Sequence, residues 1–319
     1  MVWLGSQDGY APQMHQFGEE LFAPVDDGIE LCYQEIGDPD GEPLLLVMGL
    51  ATQMIAWSEE FCRMLADRGF RVVRFDNRDI GRSTKLGDAG LPGRLDMLIG
   101  RRRNAPYLLR DMAADTFGLM DHLGIESGHL VGASMGGMIV QTAAIEDPAR
   151  VRSITSIMST TGSRRVGHPN YKTFGLLLGN PPREREAAIE RVVKTFKVIG
   201  SPGYPFEEGR IREIAGLSFD RGHSPAGIAR QLHAITASGD RTPRLRQLDI
   251  PALVIHGRSD LLVNPSGGRA TAKAIPAARL KLVDGMGHDL PEALWPTFAE
   301  EITANAARAP AGAPATPVA

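Results

Sequence analysis

Gly132-Ala133-Ser134-Met135-Gly136 constrains this chain more than any other stretch, because it fits G-x-S-x-G between two apolar segments. Residues 129–133 read as a short buried strand and residues 136–145 as a helix. So tight a passage from strand to helix forces the serine into a strained backbone conformation. Its neighbours two positions away must then be nearly free of side chain, and both are glycine. Such a turn projects the hydroxyl beside a helix N-terminus, whose free N–H groups favour developing negative charge. Ser134 is therefore a candidate nucleophile, and it needs a base, an orienting carboxylate and an oxyanion site.

The remaining pattern says what carries that turn. Residues 29–36 alternate loosely and end in the turn signal 37–41, as the second arm of an antiparallel hairpin does. The unbroken apolar run 44–48 suits a central strand covered by helices on both faces. Residues 57–66, closed by Gly69, read as a helix, 71–75 as a strand, and 107–123 as a helix with Leu109, Met112, Phe117, Met120 and Leu123 on one side. A sixth strand is expected at 154–158, and strand signals return at 252–256 and 280–283, with helices starting near Pro265 and Pro291. Alternation of this kind predicts a mostly parallel eight-stranded α/β sheet with right-handed crossovers, flanked by helices.

Between the sixth and seventh strands the strand signal disappears. Asn180-Pro181 and Ser224-Pro225 each place a capping residue before a proline at N1. Ile189, Val192, Val193 and Phe196 form one apolar stripe, and Ile228, Leu232 and Ile235 a second, stopped by Gly239. The expected organisation is a core in two parts, 1–158 and 248–305, with a helical cap or lid at 159–247. Residues 1–20 show no periodicity, and the alanine- and proline-rich tail 306–319 is expected to be disordered. A cap inserted there would sit over the C-terminal edge of the sheet, where ligands of such sheets bind.

Composition narrows the class. With 43% hydrophobic and 23% charged residues and a net charge of −3, the chain lacks the basic footprint of a nucleic-acid-binding protein. The run Arg101-Arg102-Arg103 reads as a solvated loop. Cys32 and Cys62 lie in or beside apolar segments and read as buried free thiols, and no ligand spacing suggests a metal. No secretory signal and no apolar run of membrane-spanning length is present, so a cytoplasmic location is expected, with neither a cofactor nor a membrane span.

The base is expected on a loop after the last strand, where Gly285-Met286-Gly287-His288-Asp289 supplies His288. Of the other histidines, His129 and His256 fall on strands, His122 on a helix and His15 in the lead-in. His168, His223 and His233 fall in the insertion, where surface positions are expected. The orienting carboxylate is expected after the preceding strand, where His256-Gly257-Arg258-Ser259-Asp260 supplies Asp260. A buried Asp–His hydrogen bond fixes the imidazole tautomer and stabilises the imidazolium. Asp289 is the poorer candidate, because adjacent residues rarely reach that geometry. The two oxyanion donors are expected to be the backbone N–H groups of Met135, after the serine, and Leu50, at the break after residues 44–48.

Taken together, the serine turn, Asp260, Gly287-His288 and the stretch 76–83 (Asp-Asn-Arg-Asp-Ile-Gly-Arg-Ser) resemble the α/β-hydrolase superfamily over about residues 25–305. The order Ser134, Asp260, His288 is the one that superfamily uses. Val47-Met48-Gly49 and residues 74–83 resemble bacterial serine esterases of the aclacinomycin methylesterase type. Many relatives carry His-Gly where this chain has Met48-Gly49, a change that spares backbone donors but alters local hydrogen bonding. Residues 76–83 are read as structural, bracing the loops around the site. The resemblance implies a carboxylesterase acting on a small, partly apolar ester. The same triad also serves C–C bond hydrolases, lyases and cofactor-free perhydrolases, and a slow-turnover ligand receptor keeps the fold. Serine at the nucleophile position argues against dehalogenase and epoxide hydrolase chemistry.

Overall fold

A computed structural model describes residues 17–26, 28–93, 95–96, 100–173 and 182–310. The expectations for residues 1–16 with His15, for Asn180-Pro181 and for the tail from 311 lie outside these residues.

Eight strands form one sheet: β1 (Leu21–Asp26), β2 (Ile29–Ile36), β3 (Glu42–Val47), β4 (Phe70–Phe75), β5 (Gly128–Ala133), β6 (Val151–Ile157), β7 (Ala252–Gly257) and β8 (Ala278–Val283). Their spatial order is β1-β2-β4-β3-β5-β6-β7-β8. The β1–β2 hairpin and the β2–β4 pair are antiparallel, and every pairing from β4 through β8 is parallel. Side chains alternate between the two faces along each central strand. Leu45 and Val47 of β3, Val73 and Phe75 of β4 and Leu130 of β5 enter one core. Leu44, Leu46, Val72, Val131 and Ala133 enter the other.

Helices α1 (Glu59–Ala66), α2 (Leu109–His122) and α3 (Met135–Glu146) cover these faces. Ser58 caps α1, its hydroxyl accepting from Phe61 N–H at 3.1 Å. Phe61, Cys62 and Leu65 of α1 are buried on one side of the sheet, while α2 and α3 bury Met112, Leu119, Ile139 and Val140 on the other. Both cysteines are free and buried, as the sequence implied.

Between β6 and β7 the described residues form helices and loops without a strand: α4 (Arg185–Ile199), α5 (Glu208–Arg221), α6 (Pro225–Ser238) and the short α7 (Thr242–Leu245). After β7 and β8 come α8 (Ser266–Ala274) and α9 (Trp295–Ala306). Helix α4 begins at Arg185. Its buried residues Ile189 and Val193 pack with Ala215 of α5 in a small core of their own. Helix α6 starts as expected, with the Ser224 hydroxyl accepting from Gly227 N–H at 3.2 Å.

The topology fixes where a ligand can bind. From β3 the chain moves to β4 on one side and then crosses to β5 on the other, so the loops leaving β3 and β5 diverge above neighbouring strands. Crevices of doubly wound sheets open at that reversal. Val47 at the end of β3 lies opposite Gly132 near the end of β5, and both strands run directly into the stretches singled out in the sequence.

Candidate active site

Ser134 sits between β5 and α3 with φ 55° and ψ −116°, a left-handed conformation that non-glycine residues rarely adopt. Close packing enforces it. A Cβ at Gly132 would collide with the Gly136 carbonyl, and one at Gly136 with the Val47 carbonyl, so the paired glycines are a steric requirement. Ser134 N–H donates to Ile157 O at 2.9 Å, and Ser134 O accepts from the Ser159 hydroxyl at 2.7 Å. The backbone around the hydroxyl is thus pinned to β6.

His288 reaches Ser134 from the far side of β7. Its loop folds back over the strand end: Ser259 N–H donates to Met286 O at 2.9 Å, and Gly285 takes φ 71°. His288 Nε2 then lies 3.0 Å from Ser134 Oγ, and His288 Nδ1 lies 2.7 Å from Asp260 Oδ2. Asp260 and His288 are both buried, so the pair is screened from bulk water. Oδ1 of Asp260 accepts from Leu262 N–H at 2.8 Å and Val263 N–H at 2.9 Å, which fixes the carboxylate plane. Burial works to raise the Asp260 pKa, but His288 and a second histidine, His256 at 3.3 Å, outweigh it and bring it down to about 2. The buried carboxylate is therefore held in its ionised form near neutral pH.

Asp289 does not compete for His288. Its carboxylate accepts from the Ser201 hydroxyl and, at 3.3 Å, from Ser201 N–H. Of the remaining histidines, His129 is buried against Ser153 Oγ at 2.7 Å, while His168 and His223 are exposed, as expected for the insertion. His233 departs from that expectation. It is fully buried, with Nε2 3.2 Å from Arg101 O. Arg101-Arg102-Arg103 is solvent-exposed, in line with a solvated loop.

The loop after β3 passes directly over the serine. The Cα of Gly49 is so close that a Cβ there would lie 3.0 Å from Ser134 Cβ. Ala51 takes φ 62°, and its N–H donates to Gln231 Oε1 at 3.2 Å. Among the described residues, neither Leu50 N–H nor Met135 N–H donates to a protein acceptor. Asn77 Nδ2 donates to Met48 O at 2.9 Å, which anchors the loop one residue before Gly49.

Residues 76–83 form the brace that the sequence suggested. Asp76 accepts from Met54 N–H at 2.7 Å and pairs with Arg221 at 2.9 Å, and Arg78 pairs with Asp115 at 2.5 Å. Asp79, at φ 73°, receives Arg230 through two bonds of 2.6 and 2.8 Å and the Tyr107 hydroxyl at 2.8 Å. Burial pushes the Asp79 carboxyl up, but Arg230, Leu86 N–H and Tyr107 hold it below the usual range. Sequence reasoning did not find Arg221, Arg230 or Gln231. Their bonds to Asp76, Asp79 and Ala51 span 145 to 180 positions, and no local pattern marks a helix that buries its polar residues.

Among the described residues no helix is long and apolar enough to cross a membrane, and no group of histidine, cysteine and acidic side chains could hold a metal ion.

A sheet of this order, with a serine on a positive-φ turn after β5 and a histidine behind β8, defines a class. The chain belongs to the α/β hydrolase fold family, whose sequence model matches residues 42–292. Among curated proteins it is similar to the rhodomycin D methylesterase DauP of Streptomyces sp. (strain C5), 27% identical over 88% of this chain and 95% of that protein. The rhodomycin D methylesterase DnrP of Streptomyces peucetius is likewise 27% identical, over 88% of this chain and 96% of its own length. In fold it is similar to the enol-lactonase from Burkholderia xenovorans LB400, at a TM-score of 0.68 and 23% identity, covering 90% of this chain and all of that one.

Proposed function

We propose that the chain is a serine carboxylesterase that cleaves a small, partly apolar ester through an acyl-enzyme. The observation that carries the reading is the hydrogen-bonded series from Ser134 Oγ through His288 to Asp260, at 3.0 and 2.7 Å, set on the strained turn. Likeness to two methylesterases over most of both chains favours an ester as substrate.

In this reading Ser134 Oγ attacks the ester carbonyl while His288 Nε2 takes its proton. Asp260 keeps Nδ1–H of His288 in place and stabilises the imidazolium. The N–H groups of Leu50 and Met135 receive the oxyanion, and removing one such donor typically costs about 10²–10³ in kcat. Because Gln231 occupies Ala51 N–H, Leu50 is the donor this loop offers. His288 then protonates the departing alcohol, and deacylation repeats the sequence with water in place of the serine. Residues 159–247 act as the cap over this site, between core parts 1–158 and 248–305.

The test is hydrolysis of p-nitrophenyl esters of increasing acyl length by the wild type and by Ser134→Ala. Turnover should fall by at least about 10⁴-fold in the variant, and the length optimum should report the size of the acyl pocket. Near-wild-type turnover by Ser134→Ala would exclude the serine mechanism.

A further inference from the structure

A segment of the insertion is bound to the histidine loop along its whole length. Residues 199–204, from the last residue of α4 into its connection to α5, run antiparallel to residues 284–289. Tyr204 OH donates to Asp284 O at 3.3 Å, and Gly203 N–H to Gly285 O at 2.9 Å. Gly287 N–H donates to the Ser201 hydroxyl at 2.8 Å, and His288 N–H to Ile199 O at 2.7 Å. The Ser201 hydroxyl in turn donates to Asp289 Oδ1. The two backbones touch. A Cβ at Gly203 would lie 2.6 Å from Gly285 Cα, and a Cβ at Gly287 would collide with the Gly200 carbonyl.

The contacts centre on His288. Three consecutive residues, 287 to 289, are held by 199 to 201, and Ser201 alone holds both neighbours of the histidine. An imidazole that must stay in line with both Ser134 Oγ and Asp260 tolerates little movement of its own Cα, since a misplacement of about 1 Å can cost 10²-fold. The loop itself resists little, because Gly285 and Gly287 flank Met286 and lower the barrier to backbone rotation.

We infer that Ser201 is a positioning residue for His288, clamping the histidine loop through Gly287 N–H and the Asp289 carboxylate. The segment 199–204 is then a fixed part of the catalytic frame. The inference rests on the triad reading above and adds a residue outside the triad.

The test compares wild type, Ser201→Ala, Ser201→Thr and Tyr204→Phe by steady-state kinetics on the best p-nitrophenyl ester from the length series. Ser201→Ala should lower kcat about 10- to 100-fold, with KM changed by no more than about twofold. Ser201→Thr, which keeps the hydroxyl, should recover most of that loss. Tyr204→Phe removes a contact of the same segment away from the histidine and should stay near wild type. An unchanged kcat in Ser201→Ala, a loss carried by KM alone, or an equal loss in Tyr204→Phe would each overturn the inference. Should Ser201→Ala lose its fold, Asp289→Ala reads the clamp from its other side, with the same split between kcat and KM expected and an unchanged kcat again overturning it. If Ser134→Ala stays active, the serine mechanism itself fails; if Ser134→Ala is dead and Ser201→Ala is unaffected, only the clamp fails.

Discussion

At the residue scale, Asp260 is a carboxylate that the proposed mechanism would tie to stability. Two backbone N–H groups and two histidines converge on it; burial alone would raise its pKa, and the two histidines bring it down to about 2 from an ordinary 3.8. The folded pKa lies below the unfolded one, so the contribution to stability is complete above about pH 4 and is lost as the pH falls toward about 2. A shift of that size corresponds to about 2 kcal/mol. Asp260→Asn should therefore lose less stability than the wild type when urea unfolding at about pH 5 is compared with about pH 3. An equal loss in both proteins would mean that the carboxylate is not held down in the folded state. The same variant should lower kcat by an order of about 10⁴, because an amide at that position favours the wrong histidine tautomer.

At the scale of elements, α6 inverts the ordinary helix. Ile228, Leu232 and Ile235, its apolar stripe, are only half-buried, whereas Arg230, Gln231 and His233 are buried. Arg230 and Gln231 face the brace at 76–83, where Arg230 meets Asp79 and Gln231 donates to Arg78 O. Removing one partner of a buried pair leaves the other charge uncompensated, at a cost of about 3–5 kcal/mol. Arg230→Met should destabilise the protein by that order in urea unfolding, and adding Asp79→Asn should return part of the loss. Asparagine tolerates the positive φ at position 79. Strictly additive losses would show that the pair does not interact. This helix also marks the limit of what the sequence discloses. Strands such as 44–48 and the turn at Ser134 were legible because their patterns are local: an apolar run, or two glycines around a serine. Asp260 and His288 were legible because each follows a strand by a few residues in a fixed chain order. The start of α6 was legible from Ser224-Pro225, but its buried face was not. Hydrophobic periodicity places the apolar side inward, and here ion pairs to residues some 150 positions away decide otherwise. The Ser201 contacts were invisible for the same reason, since Ser201 and Asp289 are 88 positions apart.

At the scale of the molecule, the sheet order brings distant loops to one edge. The reversal at β3 sets the loop of Gly49 and Leu50 over Ser134, and the fold-back after β8 carries His288 across β7. The insertion then grips both loops, through Gln231 on Ala51 and through Ser201 beside His288. Core and insertion are thereby coupled at the loop after β3 and at the histidine loop. The assembly should make a single serine of the folded chain unusually nucleophilic. Stoichiometric labelling with a fluorophosphonate, read by intact mass and peptide mapping, measures this directly. The expected result is one adduct per chain, confined to the peptide containing Ser134, formed in step with loss of esterase activity and absent from both Ser134→Ala and unfolded protein. A native protein that hydrolyses esters while Ser134 stays unlabelled, or that carries the adduct on another residue, would contradict the assignment of Ser134 as the nucleophile.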